Sequence, residues 1–109
     1  MVIIMIRRFV RPDREVEFLA SYRAQSPTAN PAFRGETLTR VSDDTLLPPG
    51  LRGLPLNGPT CVTYINIAEW DSWEAFTGQF DVSGIAFDPD IETAPRQRVV
   101  LDVISQKRG

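Results

Sequence analysis

The chain has 109 residues, of which 42% are hydrophobic and 24% are charged, and its formal net charge is -2. This length and composition predict one globular domain spanning residues 1–109 and argue against a disordered chain. The slight acidity argues against a nucleic-acid-binding protein, which would normally carry a basic patch.

The sequence contains no histidine and a single cysteine, Cys61. Histidine is the usual ligand of haem and a common ligand of zinc and iron, so we expect no metal centre of these kinds. Cys61 has no partner for an internal disulfide and no histidine to activate it, which favours a small buried thiol.

The first segment, MVIIMIRRFV, is rich in Val, Ile and Phe and ends before Pro12. It predicts a strand over residues 2–10. The apolar stretch is too short to span a membrane, is not preceded by basic residues and is interrupted by Arg7 and Arg8. We therefore expect a cytoplasmic protein without a membrane segment.

The next segment, PDREVEFLASYRAQ, predicts a helix with Asp13 as its N-cap. The helix should end before the two prolines of SPTANP. Its apolar stripe is predicted from residues at helical spacing: Val16, Leu19, Ala20 and Ala24, widened by Phe18 and Tyr22.

FRGETLTRVSD predicts the second strand, and a long loop follows at residues 44–60. Four prolines and three glycines between residues 44 and 59 exclude a regular element there. The same stretch carries five leucines. Such a loop is typical of a lid over a binding site, and equally of an ordered surface excursion or an oligomer contact.

TCVTYINIAEW predicts the third strand, DSWEAFTGQF the second helix and RQRVVLDVIS the last strand. Asp71 and Glu74 have the spacing of a capping box at the start of the second helix. Residues 81–95 predict an irregular connection between that helix and the last strand.

The predicted order is strand, helix, strand, strand, helix, strand. It indicates an α+β fold of the ferredoxin-like βαββαβ type, with a four-stranded antiparallel sheet and both helices on one face. The first, third and last strands are apolar at both odd and even positions. The uncovered face should therefore be apolar, which predicts a homodimer formed through that face.

The ordered set of segments resembles the antibiotic biosynthesis monooxygenase family of the dimeric α/β-barrel superfamily. IRRFVRPDREVEFLASY is similar to the family's opening strand and helix, and FRGETLTRVSDD to its second strand. In YINIAEWDSWEAF, Trp70, Ser72 and Phe76 match a recurrent W-x-S-x-x-x-F pattern. The resemblance implies a small cofactor-free oxygenase of aromatic polyketide pathways.

The resemblance also implies site residues. Asn66 and Trp70 match an Asn–Trp pair, four residues apart, that lines the pocket of quinone-forming members, so both are predicted to be catalytic. Four further residues are predicted to contact the substrate: Tyr64, Arg40, Tyr22 and Trp73. The haem-degrading branch depends on a histidine, which this chain lacks.

The residues themselves leave other interpretations open. Asn66 is suited to stabilise an oxyanion in a dry pocket, but it would also serve to cap the strand or to bind a backbone group. Trp70 and Trp73 would equally fill the core, and Arg40 would equally lie in solvent or in an ion pair. Asp102 is either a base or, as we expect, a partner of Arg96 or Arg98.

Three functions follow as hypotheses. The first is a cofactor-independent monooxygenase that oxidises an anthrone-like aromatic polyketide with O2. The second is a non-catalytic ligand-binding or assembly subunit. The third is a polyketide cyclase that performs a redox-neutral reaction in the same pocket.

Overall fold

The computed structural model describes residues 1–25, 29–42, 47–80 and 87–109. Its elements, in chain order, are β1 (Val2–Val10), α1 (Glu15–Arg23), β2 (Phe33–Arg40), β3 (Val62–Trp70), α2 (Trp73–Gln79) and β4 (Gln97–Asp102). The four strands form one antiparallel sheet in the order β2-β3-β1-β4. The predicted ferredoxin-like fold is therefore confirmed.

The sheet has two unlike faces because side chains alternate along each strand. We call the face that the helices cover the inner face; on β1 it carries Ile4 and Ile6, which are buried. The opposite, outer face carries Ile3 and Met5, which are only half-buried. From Ile4 onward, the apolar residues at even positions of β1 are therefore buried under the helices, whereas those at odd positions lie on the less covered outer face.

The first helix begins later than the sequence predicts. Pro12–Arg14 forms a 3-10 turn, so Asp13 lies inside that turn and is not the N-cap of α1. Phe18 is the buried residue of the helix, whereas Val16 is 78% exposed. The predicted stripe through Val16 is wrong, because the helix turns its aromatic pair, Phe18 and Tyr22, toward the sheet, where the Phe18 ring packs against Tyr64 at 4.7 Å.

The second helix begins one residue later than expected. Ser72 is its N-cap, and its Oγ accepts a hydrogen bond from the Ala75 amide at 3.1 Å. The predicted capping by Asp71 is wrong, because its carboxylate forms an ion pair with the Arg34 guanidinium of β2.

The long loop, in its described part from residue 47 to residue 60, contains no helix or named strand. The Leu56 carbonyl accepts hydrogen bonds from Arg7 Nη2 at 3.2 Å and from Thr63 Oγ1 at 2.7 Å. Arg7 and Thr63 belong to the outer face by strand alternation. The end of the loop is thus attached to the face that lies opposite the helices. The first residues of the predicted loop, 44–46, lie outside the described residues, as do residues 81–86 of the predicted irregular connection.

The strand register brings polar residues of separate segments into one row. Ile6 of β1 pairs with Asn66 of β3 on one side and with Arg98 of β4 on the other. Leu38 of β2 pairs with Asn66 in turn. Asn66 and Arg98 therefore flank Ile6 on the inner face, under the helices.

Candidate active site

A partly open cavity of about 130 Å³ lies between the inner face and the two helices. A cavity of roughly 150 Å³ can hold one benzene ring, so this space suits a single ring, with further rings extending through the open side. Its walls combine two phenyl rings with an unusual number of polar and charged groups. The lining residues are Ile6, Arg8, Tyr22, Gln25, Glu36, Asn66, Phe76, Phe80, Arg96 and Arg98.

Asn66 lies at the centre of this wall and is 2% exposed. Its Nδ2 donates a hydrogen bond to Glu36 Oε1 at 2.5 Å, and its Oδ1 accepts one from the Tyr22 hydroxyl at 3.2 Å. An ionised carboxylate can only accept, so the amide nitrogen must face Glu36 and the amide oxygen must face Tyr22. These side-chain bonds fix the orientation of the amide, and one N–H of Nδ2 remains for a ligand.

The Tyr22 hydroxyl lies against both Asn66 and the carboxylate of Glu36. Burial raises the pKa of Tyr22 well above its usual value, and the hydrogen bond and negative charge of Glu36 raise the pKa further. The single proton of the hydroxyl lies between two acceptors, Asn66 Oδ1 at 3.2 Å and the Glu36 carboxylate, and the raised pKa keeps it on the tyrosine. Tyr22 therefore remains a neutral donor at physiological pH.

A buried guanidinium, that of Arg8, forms another part of the wall and is 8% exposed. It lies over the rings of Phe18 and Tyr22, at 5.4 Å and 5.7 Å from their centroids. Burial and the neighbouring charge of Arg96 lower the pKa of Arg8 to about 10, so it is a cation at neutral pH.

A second, smaller hollow of about 90 Å³ adjoins the first. The two share the side chains of Arg8, Tyr22, Gln25 and Arg96. The second hollow also contains Glu92, which is buried and binds Arg96 with contacts of 3.0–3.3 Å.

Trp70, the other predicted catalytic residue, lies at a different place on the inner face. It is 1% exposed, and its ring contacts Phe33, Phe76 and Phe80 at centroid distances of 5.4, 5.6 and 6.2 Å. Trp73 stacks on Phe76 at 5.4 Å. Both tryptophans thus stand behind the two phenyl rings of the cavity wall and do not line the cavity themselves.

Tyr64 and Arg40 meet at a third place. The Tyr64 hydroxyl donates to Glu15 Oε1 at 2.7 Å, and Arg40 Nε contacts the same oxygen at 3.0 Å. Burial, followed by the hydrogen bond and charge of Glu15, raises the pKa of Tyr64 to about 12. This group attaches the first turn of α1 to the sheet, outside the cavity.

Of the six residues predicted for the site, the structure thus brings Asn66 and Tyr22 together at the cavity. Sequence reasoning missed Glu36, Arg8, Arg96 and Arg98 as cavity residues. One feature of the sequence could have identified Arg8 as an inward-facing residue: it stands at the same alternating positions of β1 as Ile4, Ile6 and Val10. The expected pairing of Asp102 with Arg96 or Arg98 is wrong, because Glu92 is the partner of Arg96, and Asp102 is exposed and forms no salt bridge with either arginine.

The described residues contain neither a candidate metal site nor a candidate membrane span. In residues 1–25, 29–42, 47–80 and 87–109 no cluster of three acidic or cysteine side chains has the spacing of a metal site. Across the same ranges, no helix combines the length and apolar character that crossing a bilayer requires.

The chain was compared with known proteins. No family model matches it, and no curated protein matches it. Solved structures do match: a candidate antibiotic biosynthesis monooxygenase from Bacillus cereus has a TM-score of 0.60 at 13% identity, covering 99% of this chain and 97% of that one. SnoaB, a cofactor-independent oxygenase from Streptomyces nogalater solved as an asparagine-to-alanine variant, has a TM-score of 0.59 at 16% identity, covering 96% and 95%. Over nearly its whole length, the chain therefore has the fold of the antibiotic biosynthesis monooxygenases.

Proposed function

We propose that this protein is a cofactor-independent monooxygenase that oxidises an anthrone-like aromatic polyketide with O2. The observation that carries the proposal is the buried amide of Asn66, held by Glu36 and Tyr22 at the wall of a cavity that also has phenyl walls. The similarity in fold to SnoaB, a cofactor-independent oxygenase, supports the proposed reaction class.

The reaction needs no electron source other than the substrate. An anthrone carries an acidic CH2 group between aromatic rings and opposite a carbonyl, and loss of one proton gives an electron-rich enolate. Electron transfer from the enolate to O2 and recombination form a new C–O bond, and the resulting peroxide anion takes back the proton that the base removed, which gives a C–OOH group. Loss of water then leaves a quinone carbonyl, so that one oxygen atom enters the product and the other leaves in water.

The cavity residues suit these steps. Glu36 is the candidate for the base that removes the proton from the CH2 group, since its carboxylate lines the cavity and accepts protons. The remaining N–H of Asn66 stabilises the enolate oxygen, and its orientation is fixed before the substrate binds. Phe76 and Phe80 provide apolar surfaces against which a flat ring packs and which exclude water.

Oxygen uptake tests this function. The purified protein is incubated with an anthrone and a metal chelator, without added cofactor, and quinone formation is followed by absorbance. We expect stoichiometric O2 uptake, and we expect Asn66→Ala to lower the rate about 10²–10³-fold, the usual effect of removing one oxyanion donor.

Asn57→Ala is the matched control. Asn57 also makes two hydrogen bonds through its side chain, to the Val41 carbonyl at 3.2 Å and from the Thr63 amide at 2.8 Å, but it lies beside the end of β2 and the start of β3 and does not line the cavity. We expect this variant to keep its rate. Tight binding without turnover would identify a ligand-binding subunit, and product formation without O2 uptake would identify a cyclase; either result would contradict the proposal.

We also propose that the protein is a homodimer formed through the outer face. Val99 and Leu101 of β4 are 46% and 40% exposed on that face, next to the half-buried Ile3 and Met5. An apolar sheet surface of this kind is typical of a protein interface, and two-fold pairing would cover it on both copies.

The mass in solution, measured by light scattering, tests the dimer. We expect twice the chain mass of 12.2 kDa. Val99→Lys should shift the protein to the monomer, because a charge would be buried at the interface. Val16→Lys, at a 78% exposed position of α1, should leave the dimer intact. A stable monomer of the unmodified protein at micromolar concentration would contradict the proposal.

A further inference from the structure

The Arg8 guanidinium is a buried cation in a strand that is otherwise apolar on its inner face. Ile4, Ile6 and Val10 precede and follow it at the same parity, and all are buried. Removing a charge from water is unfavourable unless the charge is paired or hydrogen-bonded. The position therefore requires a compensating partner.

The described residues supply that partner only in part. The rings of Phe18 and Tyr22 contribute cation–π contacts. In residues 1–25, 29–42, 47–80 and 87–109, however, no carboxylate lies within salt-bridge distance of Arg8, and its buried Nε has no hydrogen-bond acceptor. Arg8 lines the cavity, and within the described part of the chain its guanidinium lacks a full set of hydrogen-bond partners.

The nearby acidic groups are engaged elsewhere. Glu92 binds Arg96, and Glu36 accepts from Asn66. Arg98 adds a third guanidinium to the same cavity, and burial together with the charge of Arg96 lowers its pKa. The cavity itself is lined by three arginines and one carboxylate, that of Glu36, whereas Glu92 and the exposed Asp88 line the adjoining hollow. The cavity wall therefore carries an excess of positive charge.

We propose that the cavity binds the carboxylate group of an aromatic ligand, with Arg8 as its principal receptor and Arg98 as a second donor. A planar guanidinium binds a carboxylate through parallel hydrogen bonds, which would satisfy the buried Nε. The aromatic part of the ligand would extend toward Asn66 along Phe76 and Phe80. The inference rests on the proposed function for its aromatic ligand, and it specifies the substrate as an acid.

A binding experiment with unreactive ligands tests this inference separately from turnover. Anthraquinone-2-carboxylate and anthraquinone-2-carboxamide have nearly the same shape and differ in charge. Dissociation constants are measured by titration calorimetry at pH 7. We expect the unmodified protein to bind the carboxylate at least about 10-fold more tightly, which corresponds to one hydrogen bond to a charged group.

Variants assign the preference to Arg8. Arg8→Met should abolish the preference for the carboxylate while keeping the affinity for the carboxamide, and Arg8→Lys, which retains the charge, should reduce the preference if Arg8→Met does not fold. Arg14→Met is the matched control, since Arg14 is an exposed arginine of the 3-10 turn. Equal affinities in the unmodified protein, or a preference that survives in both folded Arg8 variants, would overturn the inference. Carboxylate preference without O2 uptake would reject the proposed function alone, and O2 uptake without the preference would reject this inference alone.

Discussion

The inner face of the sheet has two unlike ends. At one end Trp70, Phe33 and Phe80 pack ring against ring. At the other end Arg8 and Asn66 are as deeply buried, yet both present polar groups to a cavity. One strand, β3, contributes to both ends, with Trp70 at the first and Asn66 at the second.

The difference shows how one sheet face can separate stability from chemistry. Asn66 and Trp70 are four residues apart on β3, and a strand advances about 3.3 Å per residue, so they are separated by about 13 Å. This spacing places them at opposite ends, where a single ring in the cavity contacts only Asn66. Trp70 instead supports the phenyl rings of Phe76 and Phe80 from behind.

The largest expected effect is on stability at the aromatic end. Trp70→Ala removes a fully buried ring and should lower the free energy of unfolding by about 3–5 kcal/mol. Denaturant unfolding followed by circular dichroism measures the change. Trp73→Ala, at a half-buried position, should have a clearly smaller effect. If Trp70→Ala instead keeps its stability and loses oxygen uptake, Trp70 acts in the reaction and the comparison of the two ends fails.

The polar end should respond in the opposite way. Glu36→Gln preserves the size of the side chain and an oxygen that can accept from Asn66, but it removes the negative charge and the proposed base. We expect oxygen uptake to fall about 10²-fold or more, the usual contribution of a positioned base, with little change in unfolding. Glu17→Gln, on the exposed side of α1, is the control. An unchanged rate in Glu36→Gln would remove Glu36 from the mechanism and leave the base unassigned.

The sequence predicts the aromatic end and Asn66 more readily than the rest of the polar end. Alternation along β1 and β3 is regular, so the inner positions follow from parity, and an amide among apolar residues attracts attention. Glu36 was not predictable in this way. Phe33 lies opposite Trp70 on the inner face, and regular alternation would turn Glu36 outward; the irregularity between Phe33 and Gly35 turns it inward.

The helix positions show the same limit. The aromatic pair that faces the sheet, Phe18 and Tyr22, is visible in the sequence, but so is the rival stripe through Val16. Packing against the sheet decides between them, because α1 is rotated so that Phe18 contacts the Tyr64 ring of β3 and Val16 faces solvent. Contacts between distant segments, such as Tyr22 with Asn66, depend on that rotation and on the strand register together.

The smallest expected effect is that of removing a tyrosine hydroxyl, and it distinguishes Tyr64 from Tyr22. Tyr22 faces the cavity, whereas Tyr64 donates to Glu15 outside it. Tyr64→Phe should lower the free energy of unfolding at pH 7 by about 1.5–3 kcal/mol, the range for a hydrogen bond to a charged acceptor, and should leave oxygen uptake unchanged.

The pH dependence of that difference provides a stricter test. The pKa of Tyr64 is raised to about 12 in the folded protein, compared with about 10 in the unfolded chain. Between these values the folded state keeps the proton and the unfolded state loses it, so stability from Tyr64 is complete below about pH 10 and declines as the pH rises toward about 12. Unfolding of both proteins is measured from pH 8 to pH 12, and the advantage of the unmodified protein over Tyr64→Phe should shrink across the upper half of that range. A constant advantage would show that the Tyr64 hydroxyl is not bound to Glu15, while reduced oxygen uptake in Tyr64→Phe would bring this tyrosine into the reaction and extend the functional end of the sheet to the first turn of α1.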